Sequence, residues 1–71
     1  MTVLVTERAL TARQWQVLRL ASLGMTCVET ALELGIGVDT VKDHRSGILD
    51  ALEARSMAHA TAIGIQRGIL P

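Results

Sequence analysis

The residue types that could do chemistry in this 71-residue chain are two histidines, one cysteine and a polar run. The run is Thr40, Lys42, Asp43, His44, Arg45 and Ser46. His44 and His59 stand 15 positions apart with no cysteine or carboxylate set at metal-ligand spacing, which argues against a zinc site. Cys27 has no base partner evident in the sequence and reads as a free surface or half-buried thiol. Gly35-Ile36-Gly37 is too short for a nucleotide-binding fingerprint and follows no strand. An enzyme, a metal centre and a bound cofactor are therefore not expected. What remains is a surface that binds.

The polar run needs an element to present it. Val41, His44, Ile48 and Leu52 recur every three or four residues, so they form one stripe of a helix. Lys42, Asp43, Ser46 and Asp50 then fall on the opposite side, free to face solvent or a ligand. The spacing predicts a helix over roughly Val38 to Leu52, with Glu29 to Leu34 as a short helix before it and Gly35 to Gly37 as the turn. A short helix, a Gly-containing turn and a longer amphipathic helix make the outline of a helix-turn-helix.

The rest of the chain supports a small all-α domain. Hydrophobic residues make up 49% of the sequence, but Trp15 is its one aromatic, so the core must be aliphatic. Thr11-Ala12-Arg13-Gln14 fits a capping box, and the first helix is expected from about Ala12 to Leu23, with Val17, Leu18 and Ala21 inward and Gly24 as its stop. Thr26 is a reasonable N-cap for Cys27 to Leu34. Ser56 is expected to cap a last helix over Met57 to Arg67, ended by Gly68. Met1 to Ala9 carry no helical period and read as an arm (1–9) before the domain (10–71). The single cysteine excludes an internal disulfide. With no span-length apolar run and no signal-peptide pattern, a cytoplasmic location away from membranes is the default, in a bacterium or for a phage protein in its host.

From Leu10 to Leu70 the chain resembles the LuxR/GerE-type DNA-binding domain, the effector domain of many response regulators. The matching residues include Leu10-Thr11, Arg13, Val17-Leu18, Leu20, Gly24, Glu29, Ala31, Leu34-Gly35-Ile36, Thr40-Val41-Lys42, His44, Ile48-Leu49, Leu52, Ala60 and Gly68. They follow the family's order without a gap. The resemblance implies four helices and sequence-specific binding of double-stranded DNA, with the third helix in the major groove. On that reading Lys42, Asp43 and Ser46 face base edges, Lys42 donating to guanine and Asp43 accepting from cytosine. Thr40, His44 and Arg45 are placed for phosphate or structural contacts. It further implies a homodimer through the last helix, where Ala60, Ile63, Gly64 and Arg67 lie on adjacent turns. The same small residues equally allow that helix to lie tightly on the first helix of its own domain.

Several features depart from the family. Net charge is zero, seven cations against seven carboxylates, whereas phosphate neutralisation favours a basic excess. Cys27 and Val28 stand where polar or basic residues usually help hold the DNA backbone, Leu32 where a polar residue is common, and Trp15 where an exposed charge is usual. Glu29 matches, with Arg13 its expected partner. Gly37 replaces the usual Ser or Thr cap, and Gly47 inside the helix allows either a close approach to DNA or a tolerated irregularity. Two functions follow: a stand-alone transcriptional regulator, and a protein-interaction module pairing with another regulator through Trp15, Cys27, Val28 and Leu32.

Overall fold

The computed structural model describes residues 10–71; the expected arm, 1–9, lies outside them. Four helices follow in order: α1 (Ala12–Ser22), α2 (Cys27–Leu34), α3 (Val38–Leu52) and α4 (Met57–Gln66). No strand occurs among the described residues. The bounds of α2 and α3 are those the sequence implies, and α1 and α4 each end one residue earlier than expected.

Local chemistry sets these ends. Thr11 caps α1, its hydroxyl accepting from the Gln14 N–H while the Gln14 side chain accepts from the Thr11 N–H. Thr26 and Glu29 repeat the arrangement at α2. This corrects the expected Arg13 partner for Glu29: Arg13 donates to Gln16, and the Glu29 carboxylate closes its own helix. The signal was legible, since Thr26 to Glu29 has the same spacing as Thr11 to Gln14. Gly35 ends α2 at φ 68°, a left-handed conformation that costs glycine little. Ser56 caps α4 by accepting from the His59 N–H, while His59 Nδ1 accepts from the Arg55 N–H.

The core is aliphatic throughout. Val17 and Leu18 of α1 meet Val41, Ile48 and Leu52 of α3, joined by Ala31, Ala60 and Ile63 and closed by Leu10, Ile69 and Leu70. Leu20, not Ala21, is the third inward residue of α1. α3 is central, touching α1, α2 and α4. Burying one aliphatic side chain stabilises the fold by roughly 1.5–3 kcal/mol, so this shared core fixes α3's inward face. Thr30 is fully buried, with no hydrogen-bond partner for its hydroxyl among the described residues.

Two small residues that the sequence left open prove to be packing sites. A Cβ on Gly47 would lie 2.5 Å from the Gln14 amide nitrogen, the movable end of a side chain that reaches this face of α3 from α1. A Cβ on Gly64 would lie 3.0 Å from the Leu70 side chain.

Candidate nucleic-acid interface

With its inward stripe buried, α3 offers a defined outer face. Thr40, Lys42, Asp43 and Ser46 are exposed, as is Asp50 further along. The side chains expected to read base edges thus share solvent access on one helix whose opposite side is locked in the core. His44 and Arg45 are half-buried and lie toward the body of the domain. Arg45 is engaged there: its Nη2 donates to the Met25 carbonyl at 3.0 Å. Of the two alternatives left for it, phosphate or structure, the geometry shows a structural bond. Nothing in the sequence pairs these positions, which lie 20 residues apart.

Charge is distributed against the expectation of a basic reading motif. Helices α2 and α3 together carry Lys42 and Arg45 against Glu29, Glu33, Asp39, Asp43 and Asp50. The balance is two cations minus five carboxylates, a net −3. Arg13 and Arg19 stand on α1, and Arg55 and Arg67 flank α4. The Glu29 carboxyl is held below its ordinary value, first by the Thr26 backbone N–H and then by its side-chain hydroxyl, with slight desolvation opposing.

The outward side of α2 is apolar and acidic. Val28 is 56% and Leu32 79% exposed, beside exposed Glu29 and Glu33. The other two members of the expected partner patch are differently placed. Cys27 is half-buried and packs against the core. Trp15 is half-buried too, its indole N–H donating to the Ile69 carbonyl at 2.7 Å, with the Arg19 guanidinium 6.0 Å from the ring centre. Trp15 therefore fastens the C-terminal residues to α1, across 54 positions that no local pattern could link.

The expected dimer residues also need correction. Ala60, Ile63 and Gly64 are buried inside their own domain, where Gly64 lies against Leu70 and Leu18. Arg67 is exposed. The outer side of α4 carries Ala58, Ala62 and Ile65, spaced by four and three residues, with Ile65 57% exposed. Among the described residues no group of three potential ligands is placed to hold a metal, and no helix is long and apolar enough to cross a membrane.

Comparison with known proteins gives this geometry a family. The family described as bacterial regulatory proteins, luxR family, matches residues 8–63. The uncharacterized transcriptional regulatory protein YvfU of Bacillus subtilis is 37% identical over 62 residues, covering 87% of this chain and 31% of that protein. The HTH-type transcriptional activator RamA of Corynebacterium glutamicum is 39% identical over 62 residues, covering 87% and 22% respectively. The chain thus spans a third or less of the length of these relatives. No solved structure matches it significantly. The chain belongs to the luxR family of bacterial regulatory proteins, as a DNA-binding helix-turn-helix domain.

Proposed function

We propose that this domain regulates transcription in the cytoplasm by binding double-stranded DNA sequence-specifically, with α3 in the major groove. The observation that carries the reading is the exposed set Lys42, Asp43 and Ser46 on a helix anchored by Val41, Ile48 and Leu52. A major groove admits one helix, and these side chains match its donor and acceptor pattern. Both relatives are named as transcriptional regulators, which supports the reading. The acidic balance of α2 and α3 means that affinity rests on few phosphate contacts. A titration on duplex DNA at several salt concentrations tests this. Saturable binding with a shallow salt slope is expected, and no binding at low salt would refute the reading.

Two copies would compensate for one weakly binding domain. The exposed stripe Ala58, Ala62 and Ile65 is the surface α4 offers for a two-fold pair. Such a pair would set two α3 helices about 34 Å apart, in successive major grooves. Ile65→Glu should leave a folded monomer in sedimentation. Gly64→Leu is no longer a clean test of pairing, since it would clash with Leu70 and damage the fold. Wild-type protein that stays monomeric at high concentration on half-site DNA would dismiss the dimer.

A specific observation favours a second reading, an interaction module for another regulator. The Val28 and Leu32 surface is apolar, acidic at its edges and exposed. A chain without duplex affinity at low salt would transfer the function to this surface, with partner binding then lost on Val28→Lys.

A further inference from the structure

Arg45 stands at the middle of α3, beside the reading residues but turned inward from them. Its Nη2 donates to the carbonyl of Met25, in the turn between α1 and α2. The Met25 N–H donates to the Leu20 carbonyl and so closes α1, and the next residue, Thr26, caps α2. One guanidinium therefore ties the end of α1 and the start of α2 to the centre of α3. The Arg45 Nε is buried and has no hydrogen-bond partner among the described residues. Its stem thus runs through the protein. An arginine that grips phosphate presents its planar fork outward, where several N–H groups can reach one anion.

We propose that Arg45 is a positioning residue: its bond to Met25 fixes the rotation of α3 about its own axis and so aims Lys42, Asp43 and Ser46. The proposal rests on the DNA-binding reading above. A rotation of about 20° moves atoms at a helix radius of roughly 5–6 Å by about 2 Å. That displacement takes a base contact from hydrogen-bond length to no bond at all. The buried stripe of Val41, Ile48 and Leu52 sets the inward face of the helix, and the Arg45 bond adds a directed constraint on the rotation that remains. Arg45 supplies the directed bond from the flank of the helix, beside the reading residues.

The test uses duplexes of about 20 base pairs, long enough for two half-sites, selected from a random pool by the wild-type chain. Wild type, Arg45→Ala, Arg45→Gln and Lys42→Ala are titrated at several salt concentrations, at a temperature where circular dichroism shows each fully folded. Arg45→Ala should bind roughly tenfold more weakly, the scale of one charge-assisted hydrogen bond, with the wild-type salt slope. Arg45→Gln, two bonds too short to reach the Met25 carbonyl, should bind as weakly as Arg45→Ala and again with the wild-type slope. A purely structural Arg45 would lower the melting temperature and leave the affinity of folded protein unchanged, which overturns the proposal. A slope shallower by about 0.9 in both variants would make Arg45 a phosphate contact and overturn it as well. If Arg45→Ala does not fold, the Gln variant decides alone: weaker binding with the wild-type slope supports the proposal, and unchanged affinity or a shallower slope overturns it. Wild type that binds no duplex at low salt defeats the DNA reading and this proposal together, an outcome distinct from binding that is indifferent to Arg45.

Discussion

Helices α2 and α3 form one motif, yet their two outer faces have different chemistry. The inward residues of both serve the same core: Thr30 and Ala31 from α2, Val41, Ile48 and Leu52 from α3. Outward, α3 presents Lys42, Asp43 and Ser46, whereas α2 presents Val28 and Leu32 beside two glutamates. Packing constrains only what faces the core, so a fold can be kept while an exposed face changes its work. In a helix-turn-helix the first helix ordinarily crosses the DNA backbone. Here that helix carries no cation, so on the proposed reading the burden of recognition falls on α3.

The largest expected difference lies between inward and outward positions. Ile48→Ala should cost about 2–5 kcal/mol in chemical denaturation, because its side chain is fully buried. Leu32→Ala, on the exposed side of α2, should stay within about 0.5 kcal/mol. A comparable loss at Leu32 would break the comparison by showing that α2's outer face supports the fold.

Recognition comes next. Lys42→Ala should lose roughly 1–3 kcal/mol of discrimination at one base pair of a selected site, read by competition with single-substitution duplexes. Uniform weakening across all sequences would make Lys42 a phosphate contact and leave α3 without a cationic base reader. The converse experiment adds charge to α2. Val28→Lys with Leu32→Lys should strengthen duplex binding and steepen the salt slope by up to about 0.9 for each new phosphate contact. No change in slope would place α2's outer face away from DNA and sharpen the case for a protein partner there.

Much of this contrast was legible in the sequence. The stripe from Val41 to Leu52 fixed α3, and Thr11, Thr26 and Ser56 announced three helix starts, because periodicity and capping are local properties. Long-range pairings carried no such signal. Arg45 with Met25 and Trp15 with Ile69 depend on how helices cross, and Gly47 gave no sign that Gln14 would fill the space beside it. The stripe on α4 was ambiguous for a physical reason: small residues admit a close neighbour of either origin. Only the positions of Leu18 and Leu70 decide that the neighbour is the same chain.

The smallest effect concerns the start of α2. The Glu29 carboxyl is lowered in the folded chain, so its contribution is present above its unfolded value and lost as pH falls through the folded one. Stability of the wild type should therefore decline slightly with acid below the ordinary carboxylate range. Glu29→Gln keeps an oxygen for the Thr26 N–H, as Gln14 does for Thr11, and should remove that part of the decline. Identical acid profiles for the two proteins, measured by thermal unfolding, would deny the capping box its role at α2.

Trp15 gives the molecule an optical consequence. As the one aromatic residue, it is the sole intrinsic fluorophore, and it is coupled to Ile69 rather than to the reading helix. Detachment of the C-terminal residues would hydrate the indole and shift its emission to the red, while a ligand on the outer face of α3 would leave the emission nearly unchanged. Loss of structure and engagement of DNA can thus be followed as separate signals in one cuvette, without an added label.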